Sequence, residues 1–494
     1  SNCVLQCKGS PTNNGKIAGM VDICSGSPSY ENAYFTIGSQ AILGTGTYTD
    51  LYFTNSTKQG IKISGTQTVT DYISNPNCRL RSGENIVLTG NCTVYDNKFN
   101  SSLSFKDFTS SVPLTINGTG YVYNDVNFNS DVTFNDSLNV TSSCKTLTLN
   151  GETNVKGDLK YSGGTIIGDK WLKLYGNLDA ETSSPTISHL DFVGRTSQSI
   201  SSSNPLTVSN LNNHNTSLSG VEFNCLINVT DSLQSGPLSD YKNGKNVVLT
   251  KNAKLGDGKI TGNISAKDWT CSNSAEIKGT LYSSNAINVA DGAQLVVSNY
   301  QQSGGTLTIC KNSLLNCLSD FSQSGSTTNN GQITVVGDGK ITSSFIGGTF
   351  KIKGDLSLSN VFSPDNLIFE SKTSQRFSNS SNTTVKSLTI DNSSISGFTV
   401  GSVINVSETF DNKCKKLING ENIVLTNNAN YISDETTNGD FSVSGSYVVS
   451  KGETLTVNGK LNLKPNSSLT VEDGATLIVK RNVDSNSATV NVEN

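Results

Sequence analysis

A ten-residue phrase is written three times in this chain, as SGENIVLTGN at 82–91, NGKNVVLTKN at 243–252 and NGENIVLTNN at 419–428. A second phrase precedes it each time: LYFTNSTKQGI at 51–61, LDFVGRTSQSI at 190–200 and LIFESKTSQRF at 367–377. The two phrases thus start at 51 and 82 in the first copy, at 190 and 243 in the second, and at 367 and 419 in the third. The second and third copies agree in spacing, and the first is much shorter. That irregularity constrains the fold. A deletion of this size from the interior of a globular repeat would break its core. In a parallel β-helix a turn is about 20–25 residues and touches only the turns above and below, so losing one whole turn leaves both neighbours in register. A string of β-sandwich domains predicts constant repeat lengths and Pro-rich or charged linkers, and the sequence has neither.

Further stretches agree. LNNHNTSLSGVEFNCLINVTDSL at 211–233 aligns with LTIDNSSISGFTVGSVINVSETF at 388–410, and SLSFKDFTSS at 102–111 with NISAKDWTCS at 263–272. Composition fits many short strands joined by tight turns: 45 Gly, 59 Asn and 71 Ser, only 9 Pro, and abundant Val, Ile and Thr. The expected fold is therefore all-β, an elongated parallel β-helix (β-solenoid) of roughly 20 coils, each rising about 4.8 Å. Residues 1–45 are read as a disulfide-tied, Cys-containing N-terminal cap or assembly segment, and 46–480 as the solenoid. Within it three imperfect repeats cover about 51–188, 190–366 and 367–450, with terminal coils at 451–480. Residues 481–494 are read as a tail or assembly contact. In the phrase at 419–428, Asn-Gly is expected to turn, Ile423 and Leu425 to face one side, and Asn422 and Val424 the other. Asn91, Asn252 and Asn428, closing the three copies, are expected to take left-handed or bridge conformations at coil corners.

Charge excludes some functions. The net charge is −4 with five Arg, at 79, 81, 195, 376 and 481, which gives no basic nucleic-acid face. No run of about 18 apolar residues exists to span a membrane. The chain opens SNCVLQC without a Met, which reads as a mature or trimmed chain. Eleven cysteines point to an oxidising, extracellular or cell-surface setting. The disulfide candidates are Cys3, Cys7, Cys24, Cys78, Cys92, Cys144, Cys225, Cys271, Cys310, Cys317 and Cys414; the odd count leaves one free or paired with another molecule. Their scatter, with only His189 and His214 as imidazoles, points to no metal site and no cofactor.

Fourteen Asn-x-Ser/Thr sequons are glycosylation candidates: Asn55, Asn91, Asn100, Asn117, Asn135, Asn139, Asn215, Asn228, Asn263, Asn379, Asn382, Asn392, Asn405 and Asn466. Asn215 aligns with Asn392 and Asn228 with Asn405, and both pairs are expected on an outer face. Catalytic residues are harder to find. A β-helix hydrolase needs converging carboxylates and a lyase an acidic cluster with a basic residue. Asp257 with Lys259 and Asp338 with Lys340 are the nearest local candidates, and both read better as Asp-Gly turns. His214 aligns with Asp391, so no role for it repeats. Trp269 aligns with Phe108, which suits a core position better than a sugar platform. Of the three T-x-T strands, at 146–149, 306–309 and 454–457, none recurs at coil spacing, so no ice-binding array is expected.

The SGGT and IGGT turns at 162–165, 303–306 and 346–349, with the alternation LTVNGKLNL, give the chain a resemblance to secreted right-handed parallel β-helix surface proteins of the adhesin-like and polymorphic-membrane-protein-like kind. The F-x-x-N half of the latter motif does not repeat here. The resemblance implies adhesion or surface scaffolding without catalysis. The expected function is a non-enzymatic extracellular rod that self-associates end to end into a filament or coat. The alternatives are an adhesin for a glycan or host protein and a polysaccharide lyase or hydrolase.

Overall fold

The structure is a computed structural model, which describes backbone at 4–8, 16–18, 20–25, 29–36, 41–43, 45–53, 61–75, 80–181, 186–236, 241–426, 429–433 and 439–493; side chains are described from Thr45 onward, Ile61, Asp257 and Ser433 excepted. The chain divides into two compact units, Ser1–Val248 and Leu249–Asn494. Both are parallel β-solenoids, and together they hold about 21 turns. Every pairing described within either unit is parallel, and the only helical segments among the described residues are five single 3-10 turns.

The register gives the coil length directly. Leu103 pairs with Gly120 in a short coil, and Ile200 with Phe223 in a long one. Coils are thus often shorter than expected, and more variable. Strands of three or four residues alternate buried and outward positions, as in Leu172–Leu174 and Gln332–Val335. Inward residues stack into columns such as Leu138, Leu159, Leu178, Ile200 and Phe223, all fully buried. Burial at about 25 cal/mol per Å² of apolar surface makes these columns the main stabilising term.

The unequal repeats are explained by whole coils. Leu190 pairs with Leu211 and Leu211 with Leu233, two steps before the phrase at 243. Leu367, Leu388 and Phe410 make the same two steps before the phrase at 419. Leu51 makes one step, to Ile73, before the phrase at 82. The first copy lacks one complete coil. Before residue 45 the backbone is already coiled in parallel, Val4–Lys8 against Met20–Ser25 and Ser29–Thr36 against Gly46–Phe53. The expected disulfide-tied cap depends on side chains outside the described residues.

Candidate functional site: amide staples and a charged column

The thrice-written phrase builds one device. Its first residue is left-handed in every copy, Ser82, Asn243 and Asn419, with φ of 61°, 54° and 55°. The next three form a 3-10 turn around a buried glycine, Gly83, Gly244 or Gly420. A Cβ on Gly83 would strike the Ser102 carbonyl, and on Gly420 the Asp440 carbonyl. The turn's last residue is Asn85, Asn246 or Asn422. Its side-chain amide donates to a carbonyl of the preceding coil: Ile63 O at 3.0 Å, Phe223 O at 2.7 Å and Val400 O at 2.9 Å. Such bonds matter because coil corners carry backbone groups that the sheet ladders leave over, and a buried unpaired one costs about 1–3 kcal/mol.

This corrects the expected alternation. Asn422 belongs to the turn and not to the strand, and Val424, expected outward, is 5% exposed. The closing Asn is also not the left-handed residue. That residue comes one place earlier, Gly90 with φ 63° and Lys251 with φ 54°, and Asn428 lies outside the described residues.

The other phrase carries a glutamine that the sequence reading passed over. Gln198 is buried. Its Nε2 donates to Leu174 O at 3.0 Å and Gly176 O at 2.6 Å, while its Oε1 accepts from the Gly194 amide at 3.0 Å and from Asn215 Nδ2 at 2.7 Å. Gln375 does likewise with Ile352 O at 3.2 Å, Gly354 O at 2.8 Å and Asn392 Nδ2 at 3.4 Å. The signal was present, since Gln occupies the same place in all three copies, as Gln59, Gln198 and Gln375.

The staple settles where two sequons lie. Asn215 and Asn392, expected on an outer face, are fully buried. Of the other described sequon asparagines, Asn91, Asn117, Asn135, Asn263, Asn382 and Asn466 are exposed, and Asn100, Asn139, Asn228, Asn379 and Asn405 half-buried. Asn100, Asn117 and Asn135 stack on successive coils, each upper Nδ2 donating to the Oδ1 below at 2.6 and 2.7 Å. Asn55 lies outside the described residues.

The described cysteines do not pair. Cys92, Cys144, Cys225, Cys271, Cys310, Cys317 and Cys414 are all free, and all but Cys310 are buried. The six buried ones each occupy their own coil position as a small apolar filler, and Cys310 Sγ donates to Asn288 Oδ1 at 3.4 Å. Burial raises the Cys92 thiol to about 12 and those of Cys144, Cys225 and Cys271 to about 11. The side chains of Cys3, Cys7, Cys24 and Cys78 lie outside the described residues.

One cluster of charge remains as a chemical candidate. Lys173 pairs in register with Asp191 on the next coil. Lys173 Nζ meets Glu152 Oε2 at 2.6 Å, and His214 Nδ1 meets Asp191 Oδ1 at 2.9 Å. Glu152, Lys173, Asp191 and His214 follow one another over successive coils. Asp191 is buried, and desolvation raises its carboxyl pKa while His214 and then Lys173 pull it back. The hydrogen bond that Lys173 donates to Glu152 raises the lysine pKa in turn. His189, two residues before Asp191, packs its ring edge-on to Trp171 at 5.1 Å. The column neutralises charge along a sheet face. Lys173 stands between the two carboxylates, so they do not form the facing acid pair that glycoside hydrolysis needs.

The remaining candidates are turns and core. Asp338 Oδ1 accepts the Asp355 amide at 2.8 Å, and the Asp338 amide donates to Asp320 Oδ1 at 2.9 Å, so this aspartate is a rung of a corner ladder. Lys259 pairs with Glu276 at 3.2 Å; the side chain of Asp257 lies outside the described residues. Trp269 is buried and donates from Nε1 to Ala253 O at 2.7 Å. Its aligned partner Phe108 is buried too. Among the described residues no group of three or more His, Cys, Asp and Glu could hold a metal ion, and no helix is long and apolar enough to cross a membrane. Neither a family model, nor a curated protein, nor a solved structure matches this chain.

Proposed function

We propose that this chain is a non-enzymatic structural protein of the cell exterior, and that its solenoid extends by stacking on a further copy into a filament or coat. The last described coil supports the reading. Val483, Val490 and Val492 pair in register above Leu461, Leu469 and Val471. The lower three are buried, yet the upper three are 46%, 46% and 66% exposed. The positions are inward in both coils and differ only in having a coil above. An uncovered edge of this kind, apolar and with free strand groups, takes up another layer of strands. That layer can come from more of the same polypeptide or from another molecule, and the second gives an open, head-to-tail assembly. What the internal repeat keeps also favours scaffolding: it keeps the staples at Gln198 and Gln375 and replaces His214 by Asp391.

The test is light scattering and electron microscopy of the concentrated chain beside a V490D/V492D variant. Stacked particles that dissolve in the variant support the proposal. Monomers at every concentration, or a longer form of the polypeptide that folds its own coils over Val490 and Val492, overturn it.

A further inference from the structure

Two apolar side chains stand out of the surface more than any others described. Leu218 has 102% of its reference area exposed and Ile395 has 88%. They occupy the same place in the aligned segments NTSLSG at 215–220 and NSSISG at 392–397. Neither contributes anything to the core, and both have remained apolar while the segments around them diverged.

The loops that carry them are built alike. In one unit the amides of Ser217, Ser219 and Gly220 donate to Asn215 Oδ1 at 2.7 Å, Ser217 Oγ at 3.1 Å and Ser217 O at 2.9 Å. In the other, those of Ser394, Ser396 and Gly397 donate to Asn392 Oδ1 at 2.9 Å, Ser394 Oγ at 3.1 Å and Ser394 O at 3.1 Å. Thr216 and Ser393 reach down to Gly194 O and Ser371 O, both at 3.0 Å. The buried staple asparagine holds each loop from beneath. Each tip also has a cation one coil below. Arg195 and Lys372 are aligned and exposed, and each precedes its tip by one coil of chain. Around the Ile395 tip the surface also carries Lys415, Lys416 and Arg481, with Asp440 the one acid among them.

We propose that these loops are knuckles that dock the protein onto an anionic lipid surface. Three observations favour lipid over a protein socket. The tips are convex and project alone, which suits a deformable surface. Amides on either side of each tip are satisfied within the fold, so the tip enters a region of low polarity without stripping those groups of partners. An exposed cation precedes each apolar tip by one coil, and Lys415, Lys416 and Arg481 lie around Ile395, the combination that binds an interface carrying anionic headgroups. The overall charge of −4 does not oppose this, because screening confines the interaction to the charges near the surface.

The experiment is flotation of the full chain with vesicles of phosphatidylcholine and phosphatidylglycerol, beside vesicles of phosphatidylcholine alone. The tips are fully exposed, so an L218S/I395S variant should melt as the unchanged protein does, which circular dichroism checks. Binding to the anionic vesicles is expected to fall about tenfold in that variant and again in R195E/K372E, and to weaken with salt. Failure of the unchanged chain to float with anionic vesicles overturns the proposal. So does equal flotation of the tip variant, which would leave only diffuse charge. Loss of self-association in the tip variant without vesicles would assign the knuckles to a second copy instead.

Discussion

The second and third copies of the repeat follow the same coil path where they begin, at 190–248 in one unit and 367–424 in the other, and they differ in what occupies it. Both bury a glutamine and an asparagine as a staple. Gln198 makes four hydrogen bonds, the shortest at 2.6 Å, whereas Gln375 makes three, of which the one from Asn392 is stretched to 3.4 Å. Charge is not kept. His214 and Asp191 form a pair in one copy, and Asp391 and Ile368 take their places in the other. The difference teaches what the coil needs. Corners leave backbone groups that side chains must satisfy, here through buried amides that both copies keep, while the charged pair beside them is kept in one copy alone.

The largest effect expected from this contrast lies at the staples. Gln198→Leu keeps the volume, strands the Gly194 amide and the Gly176 carbonyl and leaves Leu174 O only the Val193 amide, for a loss of about 3 kcal/mol. Gln375→Leu strands fewer and weaker partners and should lose about 2 kcal/mol. Urea denaturation gives the totals, and hydrogen exchange read by mass spectrometry places each loss on its own coil. Equal losses, or a larger one at Gln375, would break the ranking of the two copies by staple geometry.

The charged pair should act more weakly and through pH. Desolvation raises the Asp191 carboxyl above its ordinary value, so the folded chain binds this proton more tightly than the unfolded one. Stability from this group is therefore full below the ordinary carboxylate pKa and is lost as pH rises through the raised value. Asp191→Asn keeps an acceptor for His214 and removes the ionisation. It should make the protein more stable at neutral pH and flatten the acid side of the stability curve. In the other copy Ile368→Asn has no such charge to remove and should leave that slope unchanged. Melting curves across pH, compared between the two variants, decide it.

How much of this was legible beforehand follows from the same physics. The missing coil could be read from the spacing of the repeats, because a solenoid changes length only in whole turns. Inward Leu, Ile, Val and Phe could be read from alternation. The corners could not. Asn422 looked like one residue of an alternating strand, and only the 3-10 turn around Gly420 reveals that its amide reaches back a full coil to Val400 O. Asn215 looked like a sugar acceptor because a sequon and a buried staple share the same local spelling. Cysteines counted as bridges because count says nothing of which coil each one fills. In each case the deciding partner lies one coil away, as Gly120 does from Leu103 and Phe223 from Ile200, where local pattern does not look.

The smallest effect concerns the residue that ends the repeated phrase's strand. Gly90 and Lys251 occupy the same left-handed corner, with φ of 63° and 54°. A side chain at Gly90 would meet nothing nearer than the Thr70 carbonyl at 4.0 Å, so space is not what separates the two corners. What differs is backbone preference, since an L side chain crowds the following carbonyl in this region and glycine does not. Lys251→Gly should therefore stabilise the protein by about 1 kcal/mol, and Gly90→Lys should destabilise it by a similar amount. Opposite shifts of the urea midpoint, equal in size, are the expected result. If Lys251→Gly destabilises instead, the lysine holds something at that corner which its aligned glycine does without, and the two corners are not equivalent.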